Sequence, residues 1–380
     1  MLVRITNDAR DYAWGSRTLI PDYFSMPATG LPMAEIWFGT HPGSEARVLE
    51  TGEALGSAIG HKLPFLLKIL AADSPLSIQA HPTMQQAQAG FAAENAAGVP
   101  LGASNRNYKD DQHKPEMIIA LTEFEALCGF KSQREIGFLL QDLAEHPGVS
   151  EGFRSISAGW LKMFEQPDGL KSVFADICNR RGNLDGYNAE LTALADGEGQ
   201  YALAERLNLL YPGDPGVVLA LLMNHVYLEP GQALYLPAGN IHAYLSGLGV
   251  EIMAASDNVL RGGLTPKHID VAELQKVVDF SFGDLPLVEP KELVAGLTEY
   301  PTSASEFITY RAEVSGSNLL ADLNLPGECV FLCTAGEVAV SSSKDERLVL
   351  RRGEAAYLSG DANRFSLAGS GTCFIATSPK

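Results

Sequence analysis

Three textures of hydrophobic patterning follow one another along the chain. Up to about residue 131, apolar residues come in short runs broken by turn formers, the pattern of strands. Runs at 34–40 and 46–49 are separated by Pro42-Gly43, and runs at 63–70 and 76–81 by Ala-Ala-Asp-Ser-Pro. The Gln- and Ala-rich stretch from Thr83 to about Asn95 favours a helix on propensity. Near Ser132 the period changes. Within 133–145 the apolar residues at 136, 138, 139, 140 and 143 form one helical face. Similar faces recur at 150–164, 169–179, 188–195, 202–210 and 214–223, the last opened by Asp214 as N-cap with Pro215 at the first helical position. Strands resume after 224. One more amphipathic helix is expected at 267–278, and a Pro- and polar-spotted connector at 286–305. Further strands are expected at 307–314, 328–334, 337–342, 348–350, 355–358, 364–367 and 373–377.

A helical block between two strand-rich regions reads as an insertion. The expected domains are therefore 1–131 joined to 225–288, an inserted helical domain at 132–224, and a C-terminal domain at 289–380. An internal repeat supports two related β units. Gly353-Glu-Ala-Ala-Tyr-Leu-Ser-Gly-Asp-Ala-Asn-Arg-Phe-Ser-Leu aligns without gaps on Gly231-Gln-Ala-Leu-Tyr-Leu-Pro-Ala-Gly-Asn-Ile-His-Ala-Tyr-Leu. In the second copy Ser359, Asp361 and Arg364 stand where the first has Pro237, Gly239 and His242.

The first copy carries the chemistry. Its G-x5-P-x-G-x2-H spacing, from Gly231 to His242, places an imidazole at a strand start fixed by Pro and Gly geometry. That spacing resembles the second metal-binding motif of cupin barrels. Gln79 and His81, two apart on a strand and followed by Pro82, can approach one ion. In Lys114-Pro115-Glu116 the residue before proline is extended, so Lys114 and Glu116 project to one side and His113 to the other. Glu116 opens the apolar run Met-Ile-Ile-Ala-Leu, and a buried carboxylate needs a cation. Gln79, His81, Glu116 and His242 together offer two imidazoles, a carboxylate and an amide oxygen. Zinc suits such a set, and manganese, iron and cobalt accept the same ligand types.

These segments also carry a close resemblance. The motifs Tyr12-Ala-Trp-Gly-Ser16, Ala34-Glu-Ile-Trp-Phe-Gly-Thr-His-Pro42, Leu63-Pro-Phe-Leu-Leu-Lys68 and Pro75-Leu-Ser-Ile-Gln-Ala-His-Pro82 resemble the type I mannose-6-phosphate isomerases. So do Tyr108-Lys-Asp-Asp-Gln-His-Lys-Pro-Glu116, with Gln112 in the usual Asn position, and the run from His242 to Lys267, with Gly262 where Ala is usual. The resemblance implies a mainly β protein with a cupin (jelly-roll) catalytic barrel, a helical insertion and a degenerate C-terminal cupin-like barrel. It implies one zinc per chain on Gln79, His81, Glu116 and His242, and a catalytic role for Arg261. The implied reaction interconverts mannose 6-phosphate and fructose 6-phosphate.

That reaction makes demands on the residues. The weakly acidic C2 proton needs a cation beside the developing enediolate, which the metal and Arg261 would supply. Lys114, Glu251 or a water on the metal is the candidate proton carrier, and Ser77 and Lys267, with Arg261, are the candidates for binding substrate phosphate. A cupin metal oxygenase and a non-catalytic sugar-phosphate sensor are the alternatives, and Gln79 and the nearby cations favour the isomerase over the oxygenase.

Composition restricts the partners. A formal charge of −18 over 380 residues repels nucleic acid and anionic membrane alike, so a phosphorylated hexose needs a local cationic pocket. Five irregularly spaced cysteines suit free thiols in a reducing cytoplasm. The first fifteen residues lack the apolar core of a signal peptide, and no window approaches 18 uninterrupted apolar residues. A cytoplasmic chain is expected, a monomer being favoured over an oligomer.

Overall fold

The computed structural model describes residues 1–379 apart from Asp196, Glu198 and Asn363. The first strand-rich region supplies β1 (Leu2–Thr6), α1 (Leu19–Phe24), β2 (Glu35–Phe38), β3 (Arg47–Val48), α2 (Leu55–Ile59), β4 (Phe65–Ala72), β5 (Ile78–Ala80), α3 (Met84–Ala96), β6 (Glu116–Ala120) and β7 (Phe124–Phe130). The helical block holds α4 (Gln133–Glu145), α5 (Glu151–Phe164), α6 (Gly169–Asn179), α7 (Asp185–Thr192), α8 (Ala202–Leu210) and α9 (Gly216–Leu222). It is followed by β8 (Met223–Leu228), β9 (Ala233–Leu236), β10 (His242–Ala254), β11 (Leu260–Gly263) and α10 (Val271–Val277). The last part is all strand: β12 (Lys291–Val294), β13 (Leu297–Tyr300), β14 (Ile308–Val314), β15 (Leu320–Asn324), β16 (Cys329–Ser342), β17 (Arg347–Arg351), β18 (Ala355–Leu358) and β19 (Arg364–Thr377).

β10 organises the first sheet. Its opening half pairs with β5 and β7, and its closing half with β4 and β6. The strand turns from one half to the other at Gly247, where φ is 116° and a Cβ would come within 2.6 Å of the Glu123 carbonyl. Strand alternation then sorts the side chains into layers. Ile241, Ala243 and Leu245, with Ile78 and Ala80 of β5, face outward into the core of the helical block. Further along, Phe65, Leu67, Ile69 and Ala71 of β4 and Leu248, Val250 and Ile252 of β10 pack against Val330, Leu332, Tyr357 and Phe374 of the second sheet. Both outer faces are thus covered, and the polar residues between these positions are left pointing inward.

The second sheet repeats the design. β18 and β19 begin at the residues aligned with the starts of β9 and β10. Gly353 and Gly369 (φ 88° and 120°) stand where Gly231 and Gly247 (φ 90° and 116°) do. β19 pairs with β15 and β16 in its first half and with β14 and β16 in its second. The cupin-type β architecture expected from the sequence is present; the strand path of the first sheet runs from β11 to β2.

Several local expectations need correction. The first strand, grouped with the metal-bearing unit, pairs instead with β18 of the second sheet. The 286–305 connector contains the β12–β13 hairpin, turned at Gly296; β12 is exposed along its whole length, so no alternation marks it. Runs 328–334 and 337–342 are one strand with a bulge between Cys333 and Ala335, and runs 364–367 and 373–377 are likewise joined in β19. The helix expected from 267 starts at Val271, because Asp270 caps it by accepting from the Glu273 amide. No helix among the described residues is long and apolar enough to cross a membrane.

Candidate metal centre

The inward faces of β2, β4, β5, β6 and β10 meet at one place. Glu116 begins β6 on the inner side, because Met117 and Ile119 face the second sheet. His242 and His81 are buried beside it. Glu116 Oε2 lies 3.3 Å from His81 Nε2 and 3.4 Å from His242 Nε2. Gln79, the cross-strand partner of His242, brings its amide nitrogen Nε2 to 3.3 Å from His242 Nε2.

The far side of each ring decides what the near side can do. His81 Nδ1 is 2.7 Å from the Asn258 carbonyl, and His242 Nδ1 is 3.1 Å from the Asn240 carbonyl. A carbonyl only accepts, so each Nδ1 carries the proton and each Nε2 presents a bare lone pair. Two such nitrogens and a carboxylate oxygen therefore converge, all within 4.8 Å of one another. Both His81 Nε2 and Glu116 Oε2 are buried without a hydrogen-bond partner. Orphaned acceptors crowded together are costly unless a cation joins them, and this nitrogen–oxygen set fits zinc.

The electrostatics agree. Burial pushes the His81 imidazole down to about 4 against the pull of Glu116, so it is neutral at ordinary pH. Burial alone would raise Glu116, but the Lys114 ammonium above all outweighs it and holds the carboxyl well below its usual range. Lys114 does so through a 2.8 Å contact with the other carboxylate oxygen, Oε1.

A cavity of about 540 Å³ opens in front of these groups. Lys68, Glu251, Glu35 and Trp37 line its floor. The Lys68 ammonium is 3.0 Å from Glu251 and 3.5 Å from Glu35, and 4.9 Å from the Trp37 ring centre. Burial lowers the Lys68 ammonium, but Glu251, Glu35 and Glu116 more than reverse this, and it stays charged. Burial raises Glu251 above the usual carboxylate range even with Lys68 beside it. At the other end stand Arg261 and Lys267, with no carboxylate paired to either among the described residues. Arg261 lies directly across from Gln79 on β11. Its charge, and then burial, lowers the Lys267 ammonium.

Residues 2–133 match the family described as phosphomannose isomerase type I, catalytic domain. The mannose-6-phosphate isomerase of Escherichia coli K12 is 34% identical to this chain over 97% of each. The chain belongs to the type I mannose-6-phosphate isomerase family. That of Arabidopsis thaliana, mannose-6-phosphate isomerase 1, is 31% identical over 90% of this chain and 85% of its own. A crystal structure of the Salmonella typhimurium mannose 6-phosphate isomerase, bound to the substrate fructose 6-phosphate and zinc, superposes with a TM-score of 0.88 at 33% identity, covering both chains fully.

Within this family member, Ser77, Gln79, Lys114, Glu116, Glu251, Arg261 and Lys267 all line the one cavity, with His81 and His242 buried behind it. His113 turns away from Lys114 and Glu116, as the geometry before Pro115 requires, and meets Glu306 at 2.6 Å. The sequence reading passed over Lys68, Glu35 and Trp37, and also Tyr211, which lines the same cavity. A lysine inside the otherwise apolar run Phe65–Ala72 was the available signal, since buried lysine is rare unless paired. Asn258 supports the centre. Its carbonyl orients His81, and its amide holds the loop that leads to Lys114.

Proposed function

We propose that the chain interconverts mannose 6-phosphate and fructose 6-phosphate, with one zinc ion held by His81, Glu116, His242 and Gln79. The observation that carries this reading is the convergence of orphaned His81 Nε2 and Glu116 Oε2 beside a cavity with a carboxylate at one end and unpaired cations at the other. Zinc, when bound, supplies Lewis-acid charge for the sugar oxygens.

The remaining work falls to side chains. Glu251 is the proton carrier between C2 and C1: it is buried, faces the cavity and has a raised pKa, which brings it toward the range of an effective general base. Lys68 holds Glu251 through Oε2. Lys114, engaged with Glu116, keeps that carboxylate ionised and serves the sugar as a charge partner. Arg261 stays protonated at any working pH and favours the enediolate over the neutral sugar. Lys267 and Ser77 receive the phosphate, in a corner where Arg261 and Lys267 repel each other until an anion arrives. This pocket offsets the unfavourable field of a chain with net charge −18. A cytoplasmic setting belongs to the same proposal and is supported by five unpaired cysteines.

A coupled assay for fructose 6-phosphate, run on zinc-loaded, chelated and zinc-restored protein, tests the reading. Turnover should vanish on chelation and return with one zinc per chain. Full turnover by the metal-free protein would defeat the assignment.

A further inference from the structure

The helical block does more than cover the back of the ligand-bearing strands. It reaches two backbone segments at the cationic end of the cavity. Arg181, just beyond α6, donates Nη1 to the Lys267 carbonyl and Nη2 to the Thr265 carbonyl, each at 2.7 Å. Asp214, before α9, accepts the Leu264 amide at 2.6 Å through Oδ1 and faces the Thr265 amide at 3.4 Å through Oδ2. Tyr211 donates its hydroxyl to the Pro75 carbonyl at 2.8 Å, two residues before Ser77.

The held segment has reason to need holding. Leu264 sits at φ 52°, a left-handed conformation that a branched side chain adopts at a cost. Gly263 and Gly216 approach so closely that a Cβ on either would lie 2.5 Å from the other segment's backbone. Within the segment, the Lys267 amide turns back to Thr265 Oγ1 at 3.1 Å. Residues 264–267 are thus a strained turn whose carbonyls are gripped by one guanidinium and whose amides are gripped by one carboxylate. Neither Arg181 nor Asp214 lines the cavity.

We propose that Arg181 and Asp214 are positioning residues that fix the 264–267 turn, and through it Lys267, for the phosphate group of the substrate. This rests on the phosphate reading of Lys267 given above. Arg181 spends its two terminal nitrogens on two carbonyls of one turn, a spacing that suits a forked, planar donor. Loosening that grip lets the Lys267 ammonium wander without disturbing the zinc ligands, so the damage falls on phosphate binding.

The test uses the zinc-loaded full chain with Arg181→Met and Arg181→Lys, and inorganic phosphate as a competitive probe. In Arg181→Met the KM for mannose 6-phosphate should rise roughly tenfold, the scale of losing a hydrogen bond made by a charged donor. The inhibition constant of phosphate should rise by the same factor, with kcat within about threefold and zinc content unchanged. Arg181→Lys, which keeps the charge but loses the two separated terminal nitrogens, should fall between the variant and the parent in both constants. Both constants within about twofold of the parent in Arg181→Met would overturn the proposal. If that variant does not fold, unchanged constants in Arg181→Lys overturn it. Lys267→Ala separates the two claims. A phosphate inhibition constant unaltered there would defeat the phosphate reading itself, whereas a raised constant there with none in the Arg181 variants would defeat only the positioning role.

Discussion

Replacing Asn258 by Ala should weaken zinc binding from a position that never touches the ion. The Asn258 side chain is wholly buried. Its Oδ1 accepts from the amides of Lys109 at 2.7 Å and Asp110 at 3.3 Å. Its Nδ2 donates to the Asp110 carbonyl at 2.9 Å, to Asp110 Oδ1 at 3.1 Å and to the Gln112 carbonyl at 2.8 Å. Taking about 1 kcal/mol for each of the three shortest contacts, with some added cost for the buried groups left bare, the loss of stability is about 3–4 kcal/mol. Part of that loss should appear at the metal. The same residue's carbonyl sets the His81 ring, and removing such an outer support costs roughly 10–100-fold in metal affinity. Asn258→Asp keeps the shape but sets a carboxylate against Asp110, and should lose at least as much. Denaturant unfolding of the metal-free protein gives the stability term, and competition against a chelator of known affinity gives the zinc term. A variant that is less stable yet binds zinc within about twofold of the parent would refute the idea that this loop aims His81.

Three further outcomes follow from the site and its surroundings. Glu116→Ala and His242→Ala should each lose zinc and activity together, and near-full zinc by elemental analysis in both would defeat the ligand assignment. Arg261→Ala should lower kcat by roughly 10²-fold with zinc retained, and a change confined to KM would reduce Arg261 to a phosphate contact. Buried Glu125 is held near 2 because hydrogen bonds from His225 and Arg206 outweigh the upward push of burial. Its folded pKa is depressed, so its stabilisation is present above the ordinary carboxylate range and disappears as pH falls from about 4.5 toward about 2. With Arg206 and His225 partly exposed, the contribution is about 1–2 kcal/mol, and the metal-free Glu125→Gln protein should lose stability less steeply than the parent over that interval. Equal slopes would count against it.

Legibility in the sequence followed the range of the interactions. The α6 and α8 boundaries and the starts of β10, β18 and β19 were readable because helical period, Gly and Pro act locally. The convergence of His81, Glu116 and His242 was readable because the Gly/Pro geometry before His242, Pro82 after His81 and the apolar run opened by Glu116 are local signals. The β12–β13 hairpin was not, since β12 buries nothing and leaves no alternation to see. Nor was the pairing of β1 with β18, which depends on partners far along the chain. Lys68 was hidden differently: it lay within a correctly read strand, and only its salt bridges to Glu251 and Glu35, on two other strands, give it meaning. Asn258 was hidden because its side chain acts on residues 109–112, a loop far away in the chain.

The pairing of β1 with β18 bears on how the molecule is made. Arg4 on β1 bonds to the Val349 carbonyl, 345 positions later. The first sheet and the helical block therefore lie between β1 and its β18 partner along the chain, while β3, the other neighbour of β1, follows it closely. The metal-bearing sheet is complete once Gly263 has emerged, apart from the outer cover that the later strands bring to it. Until those strands arrive the sheet carries a bare apolar face, and β1, paired only with β3, keeps an open edge, both being surfaces that attract the wrong partners. Residues 355–358 close the open edge of β1, whereas the apolar face is covered only by β16, β18 and β19 together.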